Sequence, residues 1–382
     1  MRNTFILALA LLISIGTNLY SKNTKMAVAK KEEAKIEEST INYNKLRLAD
    51  PINATISEIQ KEEDKKISIK FDTRIDAQYN TYGTDNNGNR PEDEGGFAGK
   101  YLKLIINGKI SPKFSYNFRY RLYTTNNVKE FFGTTDYLNL TWHVSDQIDL
   151  TAGKQVVFVG STEYDYAPID VYFASDYWNH VSPYQIGLNL SYRTKSKKHT
   201  FFAQFVNSPF SSKALENIYA YNLKWCGTIA PWFKTIYSVN MMEYSKGNFM
   251  NFIGLGNKFL FNKFCLELDY INRYAGKDTE FFSDFTFIGQ LAYSFNNFRV
   301  FAKGGYDQNH AQVAGTTLED AYDKYVLPGV ERGFYGLGVE FFPLITENNN
   351  LRVHAYWHSN TVGPIPNSFG LGIRWQIKVL DR

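Results

Sequence analysis

From residue 67 onward, apolar and polar residues alternate one for one over long stretches. Ile67, Ile69 and Phe71 alternate with Ser68, Lys70 and Asp72. Phe114, Tyr116, Phe118, Tyr120 and Leu122 alternate with Ser115, Asn117, Arg119 and Arg121. Near the end, Phe369, Leu371, Ile373, Trp375, Ile377 and Val379 alternate with Gly370, Gly372, Arg374, Gln376 and Lys378. A period of two sends successive side chains to opposite faces of a sheet. The pattern predicts strands over 67–80, 99–110, 113–124, 135–144, 148–158, 184–194, 198–207, 217–226, 231–242, 249–261, 263–274, 285–296, 298–308, 333–343, 350–359 and 367–379. Most exceed the roughly 5–6 residues typical of soluble proteins. They fit the length needed to cross a membrane as tilted strand, about 9–11 residues.

The links carry a second pattern. Even-numbered links are tight, as at Ser111-Pro112, Asn262 and Asn297; odd-numbered links are mostly long, as at 81–98, 159–183 and 309–332. Short turns on one side and long loops on the other are expected of a bacterial barrel. The predicted fold is all-β, a transmembrane antiparallel barrel of about sixteen strands, with a soluble propeller or sandwich as the alternative.

Composition supports the barrel. Aromatics make up 16% of the chain, yet 21% of it is charged. A wall with one face in lipid and one in water reconciles the two values. The net charge of +4 is too mild for a nucleic-acid binder. Arg2 followed by the apolar run Phe5 to Ile15 reads as a secretory leader over 1–21, too short to span a bilayer. Residues 22–66 are rich in Lys, Glu, Ala and Ile and poor in aromatics. They read as a charged periplasmic extension, solvated or partly helical. The barrel then occupies 67–382, in an outer membrane.

If the apolar set faces lipid, the other set lines the lumen. The inward bases are Lys70, Arg74, Lys103, Lys109, Arg119, Arg121, Arg193, Lys224, Lys234, Arg299, Lys303, Arg352, Arg374 and Lys378. The inward acids are fewer: Asp72, Asp76, Asp149, Glu267, Asp269 and Glu340. A positive lining favours anions. Asp72 and Asp76 are placed to neutralise Lys70 and Arg74 in part, and interior charges that only pair with one another are the competing reading. Arg119 and Arg121 share a face at about 7 Å, a spacing that could pass an oxyanion along.

Loop 159–183 is too long and aromatic for an exposed link. It is expected to fold into the lumen and narrow it with Asp165, Asp170, Tyr172, Asp176 and Tyr177. The other reading packs it over the mouth or against a neighbouring subunit.

No metal, cofactor or catalytic set is expected. His354 and His358 stand about 13 Å apart along one strand. The calcium-like run Asp85–Asn89 has Arg90 where a calcium loop needs glycine. Cys226 and Cys265 fall on strands that are not neighbours, so no bridge is expected.

Three stretches resemble the phosphate-selective porin O/P family, in the form common in Bacteroidetes-like bacteria. They run from Gly99 to Leu122, from Leu150 to Gln155, and from Tyr166-Ala-Pro-Ile-Asp170 to Tyr184-Gln-Ile-Gly-Leu-Asn-Leu190. The resemblance implies a trimer of sixteen-stranded barrels, the third external loop folded inside, and an arginine ladder with lysine-rich rings for phosphate or polyphosphate. Arg119 and Arg121 match the ladder; Lys100 and Lys103 stand where the family's second strand is rich in arginine. The expected function is passive diffusion of small hydrophilic solutes with anion preference. The alternative is a structural or adhesive barrel with a plugged lumen.

Overall fold

In a computed structural model, residues 66–84, 88, 90–122, 131–175, 177–178, 183–211, 216–275, 284–308, 331–344, 351–362 and 366–382 are described. The expected leader 1–21 and nearly all of the extension 22–66 lie outside them, as do Asp176 and the run 85–87.

Sixteen strands form one closed barrel: β1 (Ser68–Thr81), β2 (Glu94–Ser111), β3 (Phe114–Arg121), β4 (Thr135–His143), β5 (Ile148–Val156), β6 (Tyr184–Arg193), β7 (His199–Asn207), β8 (Tyr219–Ala230), β9 (Phe233–Ser245), β10 (Asn248–Phe261), β11 (Phe264–Ala275), β12 (Asp284–Phe295), β13 (Phe298–Gln308), β14 (Glu331–Phe341), β15 (Leu351–Asn360) and β16 (Asn367–Asp381). Each strand pairs antiparallel with the next, and β1 with β16 closes the ring. Ile67 and Arg382 exchange two backbone hydrogen bonds of 3.0 Å just beyond that seam, so the barrel has no open edge.

Among the strand boundaries that shift, two have a clear cause. β2 begins at Glu94, five residues early, because its outer end pairs with the end of β1 through Tyr79 and Gly95. β8 continues to Ala230, and the turn falls on Pro231-Trp232, where the fixed φ of proline suits a reversal. The tight turns at Asn262 and Asn296 use positive φ, 55° and 47°, which asparagine tolerates. The β9–β10 link is an exception among the external connections, a two-residue turn at Lys246-Gly247.

Burial is inverted relative to a soluble protein. In β1 the polar set Ser68, Lys70, Asp72, Arg74 and Asp76 is buried, while Ile75 and Tyr79 are exposed. Leu138, Leu188, Leu223, Val239, Leu337 and Leu371 stand exposed around the outside. An apolar surface this extensive is not stable in water. Aromatic rings ring the barrel near both ends. Phe233–Phe259 and Phe298–Phe341 stack, and Phe264–Tyr293 packs at a tilt, beside the tight turns. Phe205–Tyr221 and Tyr270–Phe285 pack near the opposite ends of their strands. Such belts sit where hydrocarbon meets headgroups.

Candidate functional site: the lumen and its inner loop

The described part of the link between β5 and β6, residues 157–175, folds into the barrel with Tyr177 and Trp178. Its entry is set by a close approach. The backbone at Gly160 lies against β9 and β10, where a Cβ on Gly160 would stand 2.5 Å from the Ser238 nitrogen and one on Gly254 would collide with the Gly160 carbonyl. Only glycine fits such contacts. Ser161 then caps a helical turn, Thr162–Asp165, by accepting from the Tyr164 N–H at 2.9 Å. Asp269 of β11 holds the start of that turn, accepting from the backbone N–H groups of Thr162 (2.8 Å) and Glu163 (2.9 Å) and from the Thr162 hydroxyl.

Beyond the turn the loop reaches strand after strand. Asp165 pairs with Lys224 of β8 at 3.0 Å, and Glu163 with Lys303 of β13 at 2.6 Å. Tyr166 donates to Glu267 of β11, and Tyr172 to Glu340 of β14. Asp170 is clasped by Arg352 of β15 at 2.6 Å and by Arg374 of β16 at 3.0 Å. Arg74 of β1 donates to the carbonyls of Ile169 and Val171, and its guanidinium lies 4.5 Å from the Tyr172 ring centre. Tyr177 is 1% exposed, with its ring against Phe252 and Tyr164, so it fills space between loop and wall. A cavity of about 30 Å³ lies between the loop and the wall, bordered by Glu163, Tyr166, Glu267, Gln290 and Lys303. It has room for a water or two.

Asp170 belongs to the loop and not to a spanning strand. Burial opposes its ionisation, but the Arg374 and Arg352 guanidiniums outweigh it and hold the carboxyl well below the usual carboxylate range.

Of the inward bases expected on β13–β16 and β1, Arg74, Arg299, Lys303, Arg352 and Arg374 are inward and engaged, whereas Lys378 is exposed at the end of β16, 3.7 Å from Asp381. Arg299 pairs with Glu340 at 2.8 Å, Arg374 also with Asp72 at 2.9 Å, and Arg74 also with Asp76. Lys70 lies on the same buried face of β1.

A separate cluster lies on β2–β4. Lys103, Arg119 and Arg121 converge on one carboxylate, Asp136, at 3.6, 2.9 and 3.0 Å. The Arg119 guanidinium lies 4.4 Å from the Tyr137 ring centre and donates to the Tyr184 hydroxyl. Arg121 keeps 29% of its side-chain surface exposed. Asp136 escaped the sequence reading for a definite reason. Arg119 pairs with Tyr137 and Tyr120 with Thr135, so Asp136 is the extra residue of a β-bulge. The bulge turns inward a side chain that strict alternation would turn out. Lys100 is the extra residue of a second bulge, between the Arg74–Tyr101 and Ile75–Gly99 pairs, and it donates to Gln78. Further toward the tight turns, Arg193 stands 3.8 Å from Asp149, which also accepts from His143 Nδ1 at 2.8 Å.

Among the described residues no group of three or more His, Cys, Asp or Glu is arranged to hold a metal ion. His354 bonds Asp76 at 3.0 Å, and Cys226 and Cys265 are free.

Sixteen antiparallel strands, an apolar exterior, two aromatic belts, a charged interior and an inward loop leave one architecture. The protein is an outer-membrane barrel with the porin fold. Its residues 69–231, from β1 to the end of β8, match the family model of the phosphate-selective porins O and P. Solved structures similar to this chain include the outer membrane channel DcaP of Acinetobacter baumannii, at 11% identity and a TM-score of 0.56, covering 82% of this chain and 98% of that one. OmpF of Salmonella typhi, in complex with daunomycin, aligns at 12% identity and a TM-score of 0.57, covering 82% and 98%. An anion-selective porin from Comamonas acidovorans aligns at 8% identity and a TM-score of 0.57, covering 82% and 100%. At these identities the likeness is one of fold. Compared with curated proteins by sequence, the chain matches none.

Proposed function

We propose that this porin gives passive diffusion to small hydrophilic solutes and prefers anions. The observation that carries the reading is the β2–β4 cluster, where three cations share one carboxylate and Arg121 remains open to solvent. Its net positive field favours anions entering a narrow polar passage. The inner loop brings its own acids, but Asp165 and Asp170 each meet a base on the wall, so they add little opposing field. The family match over β1–β8, the name of the anion-selective neighbour and the Bacteroidetes-type resemblance favour the same reading. No covalent chemistry is involved. The functional unit is a homotrimer in outer-membrane lipid, a reading helped by a trimer form among the similar structures. Residues 1–21 serve as the leader and 22–66 as the periplasmic extension.

Reversal potentials across planar bilayers in a salt gradient test the anion claim. Arg119→Ala combined with Arg121→Ala is expected to move the potential toward the cation side, since Asp136 and Lys103 then cancel and the cluster's positive charge is gone. An unchanged potential would show that the pair only fills space. The plugged structural or adhesive barrel draws on the same loop, which bonds from β8 round to β1; a purified protein without single-channel steps would favour it.

A further inference from the structure

We infer that the lumen passes small anions as a class, chloride and carboxylates no less than phosphate, and that Asp136 keeps it from holding phosphate. The inference rests on the anion-preferring pore proposed above and narrows its permeants.

Attracting an anion and holding one need different things. Attraction needs only net positive charge, which acts over distance. Holding a phosphate needs several N–H donors free to face it, best as the planar edge of a guanidinium. The lumen keeps the first and spends the second. Arg74, Arg193, Arg299, Arg352 and Arg374 each have a carboxylate partner, as does Arg332 near the external end. Lys224 and Lys303 are bound to the loop's own acids. At the β2–β4 cluster the Arg119 Nε donates to Asp136 at 2.9 Å, while the Arg121 Nε stands 3.0 Å from it as an ion pair without hydrogen-bond geometry. Arg119 gives a terminal nitrogen to the Tyr184 hydroxyl, and Arg121 gives one to the Gly133 carbonyl at 2.7 Å. Three cations against one anion leave a positive field, while Asp136, Tyr184 and Gly133 already take up approaches to both guanidiniums that an oxyanion would use. The carboxylate stands there only because the β4 bulge re-aims it.

The test uses the full-length protein in planar bilayers, with chloride as the carrier and inorganic phosphate as the probe. The wild type is expected to show an anion-side reversal potential and to lose less than about half its chloride current in about 10 mM phosphate. Half-block below about 1 mM would overturn the inference while leaving the anion reading intact. A cation-side reversal potential would instead remove the anion reading and this inference with it. Asp136→Asn is expected to raise the anion-to-cation permeability ratio about twofold or more and to bring phosphate block into the millimolar range. Asp136→Ala gives the same readings by a different truncation. If both variants open channels with wild-type selectivity and no added phosphate block, Asp136 has no such role. If neither variant inserts, the wild-type phosphate titration alone decides.

Discussion

A single side chain on this barrel meets one of two solvents, and which one it meets sets its tolerance. Leu337, mid-strand in β14, faces outward, while Gly336 and Gly338 on either side face in. Leu337→Arg is expected to cost about 2–4 kcal/mol if it sits near the bilayer midplane. Unfolding in lipid vesicles measures this, and a loss within error of zero would place that face in water. Inside, charge is tolerated because it is paired. Removing one member of a buried pair strands the other and typically costs about 3–5 kcal/mol. Asp72 is a milder case, because its partner Arg374 keeps Asp170 as a second carboxylate. Arg74 and Arg374 lie directly opposite each other across the β1–β16 seam, and like charges so placed repel. Asp76 and Asp72 absorb them one each. Asp72→Asn is expected to lower the unfolding temperature of the purified barrel by more than the same change at exposed Asp146; equal effects would mean the seam does not need its acids.

The inner loop acts as one element. It contains little regular structure and is held by its ties to the wall. Its seat is the Gly160–Gly254 contact, so Gly254→Ala forces the backbones apart. Overpacking of this kind costs about 1–3 kcal/mol. The expected result is a noisier open channel with altered conductance, read in single-channel records; a current trace like the wild type's would mean the loop is seated elsewhere. The Asp170 clasp makes a pH prediction. A carboxyl whose folded pKa is depressed contributes stability above its unfolded pKa and loses it only as pH falls through the lower folded value. Arg352 and Arg374 depress Asp170, so its contribution is full at pH 7 and persists to about pH 4, near the unfolded value. The stability gap between wild type and Asp170→Asn is therefore expected to stay constant from pH 7 to about pH 5 and to shrink only in stronger acid. A gap that closes by about pH 6 would show that Asp170 is not held by these arginines.

For the whole molecule, strand number, order and lipid face were legible in the sequence. Every expected strand has its counterpart, because period two is a local property of backbone geometry that lipid on one side and water on the other enforce along each strand. The inward loop was legible too, since a long aromatic link must bury itself somewhere. What alternation could not carry was the bulges. Asp136 reads as one more residue in the register until pairing with β3 shows that it is extra. Nor could it say which inward bases stay open. Arg119, Arg121, Arg352 and Arg374 look alike on a strand, yet the latter two close on Asp170, far away in the chain.

The sequence by itself determined that the chain closes into a barrel, which face meets lipid and which residues look inward, because those follow from neighbours two positions apart. Tertiary structure alone decided how the lumenal charges are shared out. Their partners lie on other strands and on the folded-in loop, and an ion pair depends on distances that only the closed ring brings within a few ångströms.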